Sequence, residues 1–176
     1  MELVYFKVLE IPFSFRPDLV ALKKNFYKLS RLVHPDHFTL GTADAKEEAL
    51  LKSSEINTAY NTLKDEDLRL KYILESYGLL RNGENQELDQ EFLMEMMDLN
   101  EVLFELQMDF DADKYERILK EIEEKKLHLK SGLNKAIDLI EQETDSQASL
   151  EKIRDIYLKN RYLLRIHENI STFAPQ

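Results

Sequence analysis

Two stretches whose apolar residues recur at helical spacing are separated by His34-Pro35-Asp36, and that tripeptide constrains the fold more than any other part of the chain. Proline has no amide proton to donate and pushes the residue before it out of the α region, so the preceding helix must stop at about Val33. His34 and Asp36 then stand at a stiff corner. Taken alone, the corner fits a helix-stopping turn as well as it fits two polar side chains held out for a partner. The residues on either side bear on the choice.

Ahead of the corner, Pro17 suits a first helical position and Asp18 a first turn, which predicts a helix over 17–33. Leu19, Leu22, Phe26, Leu29 and Val33 form one stripe expected to be buried. Lys24, Lys28 and Arg31 repeat the spacing about 200° around the helix, counting about 100° per residue, as a positive row facing away from the core. Such a row is either a solvated face or, beside a rigid polar corner, an electrostatic guide for an acidic partner. Beyond the corner, residues 38–42 read as a loop, and a helix over 43–64 should bury Ala49, Ser53, Ile56, Tyr60 and Leu63. A short docking helix within 1–10 and a fourth helix over 66–77 complete an N-terminal domain, 1–77.

Residues 78–88 hold two of the four glycines and read as a linker to a second domain, 89–176. Asp89 can cap a helix running to about 107. Further helices are expected over 112–143 and from after Thr144-Asp145-Ser146 to about 170, and short connections between long helices favour an antiparallel three-helix bundle. The expected fold class is therefore all-α. In the first bundle helix, Phe92, Met96, Leu99, Leu103 and Leu106 account for the core stripe. Leu93, Met94 and Met97 then lie about 100°, 200° and 140° from Phe92, with Asp98, Glu101 and Glu105 near 240°, 180° and 220°. An apolar patch edged by carboxylates is the makeup of an adaptable partner-binding surface, unless a neighbouring helix covers it.

Charge separates the two halves. Residues 1–77 carry 11 basic and 12 acidic side chains, and residues 78–176 carry 13 and 22, within a net charge of -10. An acidic chain is a poor ligand for phosphate backbones, so no nucleic-acid partner is expected. The absence of cysteine excludes disulfides and thiolate chemistry. Charges at Glu2, Lys7 and Glu10 interrupt any signal-peptide core, and no apolar run approaches a membrane span, which leads us to expect a soluble, cytoplasmic protein without a membrane partner. Asp109-Phe110-Asp111-Ala112-Asp113 imitates a calcium loop but has Lys114 and Lys120 where the turn glycine and the bidentate carboxylate belong, so it reads as a helix cap. His34, Asp36, His37, His128 and His167 show no convergence, and neither a phosphate loop nor a nucleophile-base arrangement is present. No metal, no cofactor and no catalytic residue are expected.

The short first helix, the basic second helix, the His34-Pro35-Asp36 corner and a third helix ending Ile56-Asn57-Thr58-Ala59-Tyr60-Asn61-Thr62-Leu63 resemble a J domain. Arg69, Tyr72, Ile73 and Leu74 are similar to the residues that follow the J-domain core in the HscB iron-sulfur co-chaperones. Glu91-Phe92-Leu93-Met94-Glu95 with Asp98, Glu101 and Glu105 resembles the HscB segment that binds the iron-sulfur scaffold protein, and Tyr162 looks like the aromatic that completes that face. The resemblance implies a co-chaperone whose J domain stimulates the ATPase of a DnaK/HscA-type chaperone through the corner and the basic row. It implies that the C-terminal bundle delivers an IscU-like scaffold protein. A general J-domain protein for unfolded clients and a helical adaptor without chaperone activity are the alternatives.

Overall fold

The computed structural model describes residues 3–34, 42–80, 88–142 and 146–171. All regular structure among them is helical: α1 (Val4–Val8), α2 (Leu19–Leu32), α3 (Ala43–Lys64), α4 (Glu66–Ser76), α5 (Gln90–Met108), α6 (Ala112–Glu141) and α7 (Ser146–Ser171). No helix among these residues is long and apolar enough to cross a membrane. The chain divides into two compact units, Met1–Leu80 and Arg81–Gln176.

Helix starts are set mostly by aspartate. The carboxylates of Asp18, Asp65, Asp89 and Asp111 accept backbone N–H groups that would otherwise lack a partner in the first turns of α2, α4, α5 and α6, and Thr42 does the same for α3. Asp18 therefore precedes α2 as its cap, so the helix begins at Leu19, later than the expected 17. Leu19 lies in that first turn and is 52% exposed, which removes it from the buried stripe, whereas Leu22 below it is fully enclosed. At the other end of this unit, Gly78 takes φ +72 and its N–H reaches the carbonyl of Glu75, while the N–H of Leu79 reaches Leu74. This is a left-handed C-terminal cap that only glycine adopts without strain. Gly78, counted with the linker in the sequence, thus closes α4; residues 81–87 lie outside the described residues.

In the first unit, α1, α2 and α4 gather on α3. Phe6, Leu9, Leu22, Leu63, Ile73 and Leu74 are almost wholly enclosed. Phe26 stacks on Tyr60 with ring centroids 4.1 Å apart, and Tyr5 stacks on Tyr72 at 4.3 Å, so α2 is clamped to α3 and α1 to α4. Arg69 is buried among these elements at 7% exposure, with its Nε donating to the Phe15 carbonyl and its Nη1 to that of Leu63.

Helix directions in the second unit follow from paired residues. Lys114 meets Glu105 and Lys125 meets Glu95, numbers rising on α6 as they fall on α5, so these two helices are antiparallel. His167 faces Glu123, and Ile156 lies 3.3 Å from where a Cβ on Gly132 would be, so α7 runs antiparallel to α6. The core joins Phe92, Met96, Leu99, Leu103 and Leu106 of α5 to Ile118 and Ile122 of α6 and to Leu163, Ile166 and Ile170 of α7.

Candidate partner-binding faces

The first face lies on α2. In its last turn the N–H of Val33 donates to Leu29 and that of His34 to Arg31, which closes the helix and leaves His34 at an exposed corner. Pro35, Asp36 and His37 lie outside the described residues. Lys24, Lys28 and Arg31 are exposed, as their angular position predicts, but they are not equivalent. Lys28 Nζ sits 2.8 Å from the Glu10 carboxylate, carried by a backbone at φ 52 just after α1. Both side chains are more than half exposed, so the pair contributes at most about 1 kcal/mol, yet it offsets one charge of the row. Among the described residues no carboxylate pairs with Lys24 or Arg31. Tyr27, three residues from Lys24 and four from Arg31, is 53% exposed and adds an aromatic ring to this face. The same i, i+3, i+4 count reaches it from the sequence.

The second face lies on α5, which has two opposite sides. Phe92, Met96, Leu99, Leu103 and Leu106 are buried, whereas Leu93, Met94 and Met97 are 37%, 64% and 70% exposed. Asp98, Glu101 and Glu105 are exposed beside them. Glu105 is held 3.0 Å from Lys114. Asp98 and Glu101 pair with no cation among the described residues. Phe104 and Met108, which the sequence reading passed over, are also exposed on this helix, at 62% and 77%.

The start of α5 is fixed to α7 through Lys159. Its ammonium pairs with both Asp89 and Asp155 and lies 5.4 Å from the centre of the Phe92 ring. Burial works to lower the pKa of Lys159, but the hydrogen bonds to Asp89 and Asp155 outweigh it and hold the group above the ordinary lysine value. The same bond from Lys159, with the Phe92 N–H, holds Asp89 below the ordinary aspartate range. Three residues along each helix, Phe92 meets Tyr162 edge to face at 5.9 Å, so α5 and α7 run parallel. Tyr162 is half-buried, and the Arg165 guanidinium lies 5.4 Å from its ring centre. The residue expected to complete the face is therefore anchored on the core aromatic adjacent in sequence to Leu93. Nothing in the sequence singled out Lys159.

Comparison with known proteins gives two domain matches. The DnaJ domain matches residues 4–72, and the HSCB C-terminal oligomerisation domain matches residues 88–171. A co-chaperone protein HscB homolog from Psychromonas ingrahamii is 30% identical over 86% of this chain and 88% of its own length. The human iron-sulfur cluster co-chaperone protein HscB is also 30% identical, over 94% of this chain, which spans 66% of the human protein. The crystal structure of human co-chaperone protein HscB superposes with a TM-score of 0.73 at 29% identity, covering 96% of this chain and 80% of that one.

Proposed function

Because this chain belongs to the HscB family of J-domain co-chaperones of iron-sulfur cluster assembly, we propose that its first unit stimulates ATP hydrolysis by a DnaK/HscA-type chaperone while its second unit delivers an IscU-like scaffold protein to that chaperone. The observation that carries the proposal is the two-sidedness of α5. Five apolar residues of the helix are buried, yet Leu93, Met94 and Met97 face outward beside Asp98 and Glu101, which pair with no cation among the described residues. Large apolar side chains held in water beside unpaired charge are the composition of an interface.

The role needs no catalytic residue. His34, Asp36, Lys24, Arg31 and, in part, Lys28 would bind the conformation of the chaperone competent for hydrolysis, and differential affinity for that conformation supplies the driving force. Pro35 is the residue expected from the sequence to stiffen that corner. Leu93, Met94, Met97, Asp98, Glu101, Glu105 and Tyr162 would hold the scaffold, and carrying both partners on one molecule raises the scaffold's effective concentration at the chaperone. The cytoplasmic setting expected from the sequence belongs to this proposal. Calorimetric titration with the scaffold tests it: the Leu93→Ala, Met94→Ala, Met97→Ala triple variant should lose binding while keeping its melting temperature. A variant that melts early but binds normally would assign these residues to the bundle core.

A further inference from the structure

The outward apolar face of α5 does not end at Met97. Phe104 and Met108 lie about 120° and 160° from Phe92 by the 100° count, within the sector already occupied by Leu93, Met97 and Met94. Each is more than 60% exposed. From Leu93 to Met108 the row extends about 22 Å at 1.5 Å per residue, essentially the whole helix.

Charge along this row indicates what lies on it. Of the carboxylates on α5, Glu95 is tied to Lys125 and Glu105 to Lys114, but Glu91, Asp98 and Glu101 meet no cation among the described residues. Asp98, near 240°, stands on one edge of the row and Glu101, near 180°, inside it between Met108 and Met94, while the amide residues Asn100 and Gln107 stand near 80° and 60° on the other edge. A second copy of the same face would bring no cation to these carboxylates. Packed antiparallel, the acidic edges of two copies would meet each other, and like charges facing across an interface oppose association; packed parallel they would meet the amides, which leave the carboxylate charge unneutralised.

We propose that Phe104 and Met108 form the far half of the scaffold-binding surface, so that the scaffold lays along all of α5 an apolar ridge edged by lysine or arginine. This rests on the scaffold-delivery reading and extends the apolar part of the contact by about three turns beyond Met97. Large apolar side chains at the centre of such a contact carry most of its energy, and the aromatic ring is the stronger anchor of the two.

The test is calorimetric titration of the full chain with purified, cluster-free scaffold protein, beside sedimentation and thermal melting. Phe104→Gln with Met108→Gln, which keeps good helix formers in place, should weaken binding about tenfold or more without lowering the melting temperature. Phe104→Leu with Met108→Leu should bind close to wild type, because apolarity is retained. Asp98→Asn with Glu101→Gln should weaken binding and reduce its salt dependence. If the glutamine pair binds like wild type while the Leu93, Met94, Met97 triple variant does not, the surface stops at Met97: the extension is wrong and scaffold delivery stands. Self-association of the wild-type chain that the glutamine pair abolishes would overturn the proposal in favour of a second copy. Early melting of the glutamine pair would overturn it by making these residues part of the packing. A wild-type chain that does not bind the scaffold at all overturns the extension and the delivery reading together.

Discussion

Arg69 is the residue on which the first unit most depends. Its buried guanidinium satisfies the carbonyls of Phe15 and Leu63, drawing the segment before α2 and the end of α3 onto α4. Replacement by methionine fills similar space but strips two buried acceptors of a charged donor, at a cost of about 2–5 kcal/mol. Amide exchange resolved by residue should then show faster opening across α1 to α4 of the Arg69→Met variant, with α5 to α7 unaffected. Resemblance marked Arg69 in the sequence, but its contact with Phe15 joins residues 54 apart and no local pattern reveals it. Lys159 illustrates the same limit, since helical spacing cannot tell which cation meets the cap of a helix some seventy residues earlier. Asp89 was legible as a cap because capping is local. Its depressed pKa means that its contribution is full above the ordinary aspartate range and is lost as pH falls through the folded value. Lys159 is raised, so its part persists below the ordinary lysine range and is lost as pH rises beyond it. Asp89→Asn keeps a capping side chain without the charge. Melting across a pH series should show a flatter acid limb for that variant, and an unaltered limb would mean that the ion pair contributes nothing to stability.

Among the elements, α5 was the most readable and α2 less so, for a physical reason. The whole apolar stripe of α5 is covered by α6 and α7, so the 100° count assigned Phe92, Met96, Leu99, Leu103 and Leu106 inward and Leu93, Met94 and Met97 outward, as found. In α2 the same count placed Leu19 inward, but in the first turn that side chain is half exposed. Periodicity gives the side of a helix and is silent on where its cover ends. Phe104 and Met108 lie within reach of the same count, at about 120° and 160° from Phe92. The two sides of α5 should respond differently to truncation. Leu103→Ala should cost about 2–5 kcal/mol in denaturant unfolding, as cavity formation in a closed core does, whereas Met97→Ala should stay within about 0.5 kcal/mol of wild type. On α2, reversing Lys24 and Arg31 should slow association with the chaperone and reduce its salt dependence, with Lys28 reversal adding less because Glu10 already offsets it. Stopped-flow binding over a salt series measures this. Equal effects at all three positions would contradict the inequality.

For the molecule as a whole, the charge division seen in the sequence follows the division of the chain: a nearly neutral first unit bearing the basic face, and a strongly acidic second unit bearing the apolar one. The all-helical fold and its two-part plan were legible because breakers are few and the apolar spacing is regular. Family membership followed from motifs spread over both halves, and the domain matches and relatives bear it out. What spacing could not supply was the long-range pairing through Arg69 and Lys159. The central claim is that the chain activates a chaperone through one unit and carries a scaffold with the other. It is tested most directly by steady-state ATP hydrolysis of the DnaK/HscA-type chaperone with wild-type chain or Asp36→Asn, alongside calorimetric scaffold binding by the same two proteins. Loss of one charge-assisted contact at a desolvated interface costs about 2–5 kcal/mol. Asp36→Asn should therefore bind the scaffold like wild type and fail to raise the ATPase rate; full stimulation by Asp36→Asn would contradict the account.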